Sequence, residues 1–341
     1  MIRQTYSFDD VLLVPKYSDI ESRSEVSLSS SLSKGVTLAL PVISSPMDTV
    51  TETTMALAMA EHGGLGVIHR YNTIKEQAKL VYQVYSRGAK TIAAAIGVTG
   101  DSIDRALALV DAGANVLCID VAHGDHAMVE RSLTNLKNRI GDDVHIMAGN
   151  VATLEGFDKL ASLGADSIRV GIGGGSICST RLVTGHGMPT LQSVMDCARS
   201  TYDAKIIADG GIKTTGDMVK AIAAGADFVM LGSMLAGSSE TPGDVLTKAN
   251  GKKYKVYRGM ASHAAQTSWR GKSSTPEGVS TTVPFRGSVS LIMGDIVGGL
   301  RSGLSYSGCR NIADFQAKSE FILQTSAGQS ESATHILWRN E

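Results

Sequence analysis

The sequence of 341 residues predicts an α/β fold and, within that class, a (β/α)8 TIM barrel with a mobile flap and a C-terminal tail. Three observations lead to this prediction. Short apolar runs alternate with helical stretches, one kind of helix end recurs, and polar residues gather where the apolar runs end. Eight strands that alternate with helices are what a closed parallel barrel requires. A doubly wound open sheet is the competing arrangement.

The predicted strands are short aliphatic runs bounded by turn residues. They are Leu40–Ser45, Gly66–His69, Thr91–Ile96, Val116–Val121, His145–Ala148, Ser167–Val170, Ile206–Ala208 and Phe228–Leu231. The predicted helices lie between or beside them, over Thr53–Glu61, Thr73–Tyr85, Ser102–Asp111, Ala127–Arg139, Leu154–Leu163, Leu191–Ala198 and Thr215–Ala223.

The same helix-to-strand connection occurs three times. Gly113, Gly164 and Gly225 each follow a predicted helix and precede a predicted strand. Glycine is the residue that most readily takes the left-handed conformation at a helix end. Repeated use of one connection favours repeated βα units, although helices end this way in any α/β protein.

Composition excludes several classes of function. The net charge is −1, so nothing indicates a nucleic-acid or membrane-surface partner. No apolar run reaches the roughly 18 residues that a membrane span needs, and the first residues lack the layout of a signal peptide. The four cysteines are far apart and form no CxxC pair. This usage predicts a cytoplasmic protein without a cysteine zinc site.

The candidate site is the run from Val170 to Arg181, VGIGGGSICSTR, which directly follows a predicted strand. Successive backbone N–H groups in a glycine-rich turn form a concave site for an anion. A cysteine at the rim of such a site, here Cys178, has reason to be a nucleophilic thiolate. The alternative is a tight turn that holds a buried, inert cysteine.

Two further turns follow the seventh and eighth predicted strands. They are Asp209-Gly210-Gly211 and Gly232-Ser233, and each is expected to enter a helix. Barrels often bind phosphate with the loops after these two strands. Asp209 would repel a phosphate, so a ribose hydroxyl is its expected partner. The ligand is then a nucleotide monophosphate, and a flavin mononucleotide fits the same argument.

The chain changes character after the eighth strand. Residues 261–280 are small and polar and include Trp269 and Arg270. The sequence predicts a mobile loop that closes over a site, and a solvated excursion is the alternative. The polar tail, Ala327–Glu341, is expected either to pack on a neighbouring subunit or to fray.

Several strings resemble the IMP dehydrogenase and GMP reductase family. The run around Cys178 resembles the family's catalytic cysteine loop, with Gly174 where the family usually has proline. That replacement predicts a more flexible loop. Other matching strings begin at Phe8 (FDDVLLVP), Met47 (MDTVT), Asp209 (DGGI), Gly232 (GSMLAG), Tyr257 (YRGM), Pro276 (PEG) and Gly299 (GLRS).

The resemblance implies a purine nucleotide substrate, a nicotinamide cofactor and a homotetramer formed from a single barrel domain over 1–341, with the flap at about 261–280. Cys178 would attack C2 of the purine, Thr180 would relay a proton, and Glu277 would hydrogen-bond the purine ring. The substrate-binding residues implied are Ser176, Asp209, Gly211, Gly232, Ser233, Tyr257, Gly259, Met260 and Gly278. The cofactor side would have Asp120, Ala122, Asn150 and Arg301. A potassium ion would lie on the carbonyls of Gly173, Gly175 and Cys178.

The direction of the reaction is less determined by the resemblance. The dehydrogenases resemble one another in an Arg-Tyr pair on the flap, which activates water. This flap has Trp269-Arg270 instead, and tryptophan is neither an acid nor a base near neutral pH. The flap is short, and no regulatory CBS pair separates strands two and three. These features favour GMP reductase with NADPH.

The stretch 326–332, which resembles a potassium-binding tail, leans towards the alternative, an IMP dehydrogenase that uses NAD and lacks CBS domains. Arg70 also stands where the reductases usually have lysine. A non-catalytic nucleotide-binding paralogue and a flavin-binding barrel rank below both readings.

Overall fold

A computed structural model describes residues 2–33 and 35–332. In chain order its strands are β1 (Val11–Leu13), β2 (Ser30–Ser33), β3 (Val36–Leu38), β4 (Val42–Ser44), β5 (Leu65–Ile68), β6 (Ala93–Ile96), β7 (Val116–Asp120), β8 (His145–Val151), β9 (Ser167–Val170), β10 (Lys205–Asp209), β11 (Phe228–Leu231), β12 (Leu246–Thr247), β13 (Lys253–Arg258), β14 (Ser280–Pro284) and β15 (Phe321–Leu323).

The helices of the same residues are α1 (Thr53–Glu61), α2 (Ile74–Tyr85), α3 (Ser102–Asp111), α4 (Ala127–Ile140), α5 (Leu154–Ser162), α6 (Thr180–Thr184), α7 (Thr190–Cys197), α8 (Thr215–Ala223), α9 (His263–Arg270), α10 (Val289–Ser305), α11 (Ile312–Lys318) and α12 (Ser326–Glu331). None of the helices in the described part of the chain is long and apolar enough to cross a membrane.

Strands β4 to β11 form a closed parallel barrel. The last of them, β11, pairs with the first, β4, through Val229 opposite Val42 and Met230 opposite Ile43. The predicted (β/α)8 barrel is therefore confirmed, and the doubly wound open sheet is excluded. No domain is inserted between β5 and β6, which are joined by α2 alone.

The interior of the barrel is filled and closed at its lower end by a hairpin. Strands β2 and β3 pair antiparallel and carry Leu32 and Leu38 into a buried cluster with side chains from the barrel strands, such as Leu65, Val116 and Phe228. Removal of this much apolar surface from water is the main source of fold stability. Because the hairpin closes the lower end, the upper end, where the strands finish, is the open one.

The outer core lies between the strands and the helices. Helices α8 and α10 pack together in this outer core, and their approach depends on two glycines one turn apart. A β-carbon on Gly299 would lie 2.6 Å from the Thr215 side chain, and one on Gly303 would lie 2.5 Å from that of Val219. Gly299, the glycine of the GLRS string, and Gly303 just after the string therefore serve helix packing.

The strand-eight turn differs from its prediction. The chain after β11 makes one tight turn, in which the N–H of Ala236 donates to the carbonyl of Gly232 at 3.0 Å, and enters no helix there. It continues into the antiparallel sheet β12–β13–β14. Helix α10, which completes the barrel, follows only after that sheet and the flap.

The flap contains a helix that the sequence analysis missed. Residues 261–280 were expected to be loop, whereas α9 occupies His263–Arg270. Ser262 caps it by accepting the Ala265 N–H at 3.2 Å, and Gly271 ends it in the left-handed conformation (φ +69°). Before the predicted tail, β15 pairs with β1, and α12 occupies the start of the tail. Residues 333–341 of the predicted tail lie outside the described residues.

Candidate active site

The upper end of the barrel holds a cavity of about 320 Å³, lined by residues that follow six of the eight barrel strands. It contains Cys178 and nearly all of the residues named in advance for catalysis and binding. These are Asp120, Ala122, Asn150, Gly173, Gly175, Ser176, Thr180, Asp209, Gly211, Gly232, Ser233, Tyr257, Gly259, Met260, Glu277 and Gly278. Arg301 is not among them, because it lies on α10.

The loops after β9 and β10 touch through glycines. Gly171 has φ +144°, and a β-carbon there would lie 2.0 Å from the carbonyl oxygen of Asp209. Gly210 and Gly211 also have positive φ, and a β-carbon on Gly210 would lie 3.1 Å from the backbone nitrogen of Gly175. Only glycine permits this spacing without strain. The cysteine loop and the Asp209 turn therefore form one surface.

Cys178 is half-buried, and its thiol donates to the Thr180 hydroxyl with an Sγ–Oγ1 distance of 3.2 Å. The backbone on either side of it pairs with the end of the flap. The N–H of Ser179 donates to the carbonyl of Glu277 at 2.9 Å, and the N–H of Val279 donates to that of Ile177 at 3.0 Å. A β-bridge joins Cys178 itself to Gly278. Thr180 and Glu277 are thus brought to the same cavity as the thiol.

The expected phosphate end of the cavity is lined by small residues and hydroxyl groups. A β-carbon on Gly232 would lie 2.9 Å from the Tyr257 hydroxyl and 3.1 Å from Ser45 Oγ. Tyr257 is hydrogen-bonded to Ser176, and burial raises its pKa, so it remains a neutral phenol. Ser45 Oγ is buried and has no hydrogen-bond partner among the described residues. These groups offer donors to an anion.

A buried arginine joins the two acidic residues of the cavity. Arg169, on β9, donates to Asp120 Oδ1 at 2.7 Å and, through Nη2, to Asp209 Oδ2 at 2.9 Å. Asn150 donates to the same Asp209 oxygen at 2.8 Å. Burial alone would raise the pKa of Asp120, but the charges of Arg169 and Arg70 hold it below the usual range. Asp120 is therefore a carboxylate at neutral pH.

The flap helix reaches the opposite wall of the cavity. Trp269 on α9 lies against Tyr71, with ring centroids 6.2 Å apart, and the Arg70 guanidinium carbon lies 5.4 Å from the Tyr71 centroid. Arg70 in turn donates to the backbone carbonyl of Asp120 at 3.1 Å. The flap is thus connected to the charged side of the cavity.

Three residues of this site were not anticipated. Arg169 was treated as part of an apolar strand, although an arginine within a buried run is itself a signal of a buried charge partner. Ser45 and Tyr71 were seen only as parts of polar strand ends. The remaining cysteines resemble ordinary core residues, and burial raises the pKa of the Cys118 thiol to about 12.

These features are typical of a TIM-barrel enzyme, with a cysteine loop and glycine turns around a cavity at the C-terminal ends of the strands. The chain belongs to the IMP dehydrogenase / GMP reductase family, whose domain model matches residues 5–335. The family consists of nicotinamide-dependent oxidoreductases that act on purine nucleotides. The resemblance inferred from the sequence strings is therefore confirmed.

Relatives of both kinds are similar to the whole chain. It is 35% identical to an inosine-5'-monophosphate dehydrogenase of Nitrosopumilus maritimus, with 98% of each chain covered. It is 34% identical to a GMP reductase of Leishmania major, with 96% of each covered. Among solved structures, a GMP reductase variant from Trypanosoma brucei in complex with guanosine 5'-monophosphate matches with a TM-score of 0.92 at 32% identity, covering 98% of each chain.

Proposed function

We propose that the protein is a GMP reductase, which converts GMP and NADPH into IMP, NADP and ammonia. The observation that carries the proposal is the flap. Residues 261–280 contain no tyrosine, and the aromatic residue next to its arginine, Trp269, lies against Tyr71. Trp269 is neither an acid nor a base near neutral pH, so the flap lacks the phenol of the Arg-Tyr pair by which the dehydrogenases are expected to activate water. The GMP-bound Trypanosoma relative supports the same reading.

The chain's own residues account for the first half of the reaction. The Cys178 sulfur adds to C2 of the purine, and its proton passes to Thr180, which lies 3.2 Å away. The C2–N bond then breaks, and the amino group leaves as ammonia after it receives a proton. Glu277 holds the purine ring. A carbon–sulfur bond to C2 remains at the end of this stage.

The second half requires a hydride donor. When bound, a reduced nicotinamide would supply a hydride to C2. Cys178 would then leave C2 as a thiolate, taking the electrons of the carbon–sulfur bond. The cavity wall beyond Cys178 fits a nicotinamide ring, because Val121 and Ala122 offer an apolar face beside the Asp120 carboxylate. Asn150 is proposed to contact it from the same side.

The ribose and phosphate are proposed to lie towards β10 and β11. Asp209 would accept hydrogen bonds from the ribose hydroxyls, and its pairing with Arg169 and Asn150 fixes its orientation. The phosphate would lie on the N–H groups of Gly211 and Gly232 and on the hydroxyls of Ser176, Ser233 and Tyr257, with Gly259, Met260 and Gly278 around the nucleotide. Arg301 has no part in this proposal, given its place on α10.

Other properties are carried forward as part of the proposal. We expect a single barrel domain without CBS insertion, a homotetramer, a cytoplasmic location and NADPH as the preferred donor. A potassium ion is proposed on the carbonyls of Gly173, Gly175 and Cys178, where the Gly175 carbonyl also accepts the Cys178 N–H at 3.1 Å. The described residues hold no cluster of three or more His, Cys, Asp or Glu side chains for a metal.

The first test follows reduced nicotinamide by absorbance with two substrate pairs. GMP with NADPH should give loss of NADPH with release of ammonia. IMP with NAD and potassium should give no reduced nicotinamide. Formation of NADH and XMP in the second mixture would overturn the proposal and establish a dehydrogenase, the alternative that the Nitrosopumilus relative supports.

A substitution then tests the covalent step. Cys178→Ala should abolish turnover, because the sulfur supplies the bond to C2, while GMP still protects the protein from thermal unfolding. Cys309→Ala is the matched control, since the Cys309 thiol is buried, does not line the cavity and has a pKa that burial raises. A Cys178→Ala protein with an unchanged rate would remove the covalent mechanism.

A further inference from the structure

Thr190 is the first residue of α7, and its hydroxyl has no hydrogen-bond partner in the part of the chain that the structure describes. The residue is 4% exposed. It does not cap its own helix, which begins after Pro189 without a side-chain cap. A buried hydroxyl without a partner is uncommon in native proteins, because its desolvation is not compensated.

The hydroxyl lies where the cysteine loop meets the Asp209 turn. A β-carbon on Gly174 would lie 2.7 Å from Thr190 Oγ1, one on Gly171 would lie 3.2 Å from it, and one on Gly211 would lie 3.6 Å from it. Glycine at position 174 is therefore what allows the hydroxyl to approach the loop backbone. The carbonyl of Gly175, the next residue, accepts the Cys178 N–H.

A small second cavity reaches the same hydroxyl from behind the loops. It has a volume of about 250 Å³, and its lining includes Thr190, Ser176, Gly211 and Ser233. The last three also line the main cavity, and they are the residues proposed to hold the nucleotide phosphate. Thr190 thus lies one layer beneath the phosphate-binding surface.

We infer that Thr190 is a positioning residue whose hydroxyl gains its partner in the cysteine loop when a nucleotide is bound. Phosphate binding draws the N–H groups of Gly211 and its neighbours towards the anion and shifts the thin glycine loops. The hydroxyl of Thr190 then donates to a loop carbonyl and fixes the backbone that carries Cys178. The inference rests on the proposed nucleotide substrate, but not on the direction of the reaction.

Ser193 provides a matched control on the same helix. Its hydroxyl is also fully buried and without a partner in the described residues, but Ser193 lines neither of the two cavities described here. If orphaned hydroxyls on α7 matter only for packing, Thr190 and Ser193 should behave alike. If Thr190 positions the loop, only its substitution should change the response to nucleotide.

The experiment compares Thr190→Val, Thr190→Ser and Ser193→Ala with the unmodified protein. Each is assayed for its melting temperature, for KM and kcat with GMP and NADPH, and for the protection of Cys178 from iodoacetamide by GMP and by IMP. Thr190→Val should melt no lower than the unmodified protein, because it removes an unpaired hydroxyl. It should lose about tenfold in kcat/KM and in GMP affinity, the effect of one hydrogen bond.

Thr190→Ser should have the kcat/KM and the GMP affinity of the unmodified protein, and Ser193→Ala should leave both unchanged. A Thr190→Val protein with the kinetics and the nucleotide protection of the unmodified protein would overturn the inference. So would one that only lost melting temperature. Protection of Cys178 by nucleotide without any turnover of GMP would instead refute the proposed reductase alone, since protection is measured without catalysis. If neither GMP nor IMP protected Cys178 in the unmodified protein, the result would contradict both the proposed function and the inference about Thr190.

Discussion

Replacement of Arg169 by methionine should destabilise the protein strongly. The Arg169 side chain is 8% exposed and is paired with Asp120 at 2.7 Å and with Asp209 at 2.9 Å. Removal of one partner of a buried ion pair typically costs about 3–5 kcal/mol, because the remaining charge is left without compensation. Here two carboxylates remain. Arg70, whose Nε lies 3.6 Å from Asp120, and Asn150 compensate them in part, so we expect about 4 kcal/mol.

Thermal unfolding measures this cost directly. For a chain of this length we take about 2 °C per kcal/mol, which predicts a fall in melting temperature of roughly 8 °C at pH 7. Arg169→Lys keeps the charge but loses the planar fork of the guanidinium group, so its melting temperature should fall by about half as much. The expected deficit also depends on pH. Because the pKa of Asp120 is lowered in the folded protein, its stabilisation is present at neutral pH and is lost as the pH falls through that lowered pKa.

The difference in melting temperature between the unmodified and Arg169→Met proteins should therefore narrow in acid. Without the arginine, burial raises the pKa of Asp120, so this carboxyl takes up a proton at higher pH in the variant than in the unmodified protein. A melting temperature of Arg169→Met within 1 °C of the unmodified protein at pH 7, or a difference that does not change with pH, would refute the reasoning. Either result would mean that the two carboxylates do not depend on the arginine.

Two other predictions concern a histidine far from the site and the flap. His145 is buried beside Ser167, 2.7 Å from Nε2 to Oγ, and burial lowers its pKa to about 4. As the pH falls, this imidazole therefore binds a proton in the unfolded chain before it does so in the folded protein. The free energy of unfolding, measured by urea titration, should fall by about 2 kcal/mol between pH 7 and pH 5. His145→Gln should flatten that slope, and an equal slope in both proteins would contradict the assignment. Trp269→Ala removes the contact with Tyr71, worth about 0.5–1.5 kcal/mol, and should raise KM about fivefold at constant kcat. Trp269→Phe should preserve KM, whereas a large loss of kcat in Trp269→Ala would show that the flap takes part in the chemistry.

The barrel was predictable because each of its strands is a short aliphatic run with a turn on either side. The predicted strands Ser167–Val170 and Phe228–Leu231 agree with β9 and β11 at both ends. The hairpin of β2 and β3 was missed, because its serine-rich sequence resembles a loop. Only Leu32 and Leu38, which fill the lower end of the barrel, distinguish it, and their role depends on tertiary contacts.

The candidate site was predictable where its functional residues are close together in the sequence. Glycines, Cys178 and Thr180 lie together in one run, so the cysteine loop was recognisable without a structure. Arg169 was not, because its partners Asp120 and Asp209 are distant in sequence and meet it only when β7 to β10 are assembled in the barrel. The orphaned hydroxyl of Thr190 was equally invisible, since the absence of a partner is a property of the packed molecule.

The pairing between the cysteine loop and the end of the flap has a consequence for how such a barrel can change its reaction. The N–H of Gly259 donates to the carbonyl of Val279 at 3.0 Å, and that of Glu277 donates to Ala261 at 3.0 Å. The two ends of the flap are therefore tied to each other as well as to the loop that carries Cys178. Residues 263–275 therefore form a loop and helix whose two ends are held together by backbone hydrogen bonds. Insertions, deletions and new side chains there can accumulate without displacing the nucleophile, so one thiol can be kept while the groups that deliver or exclude water are exchanged.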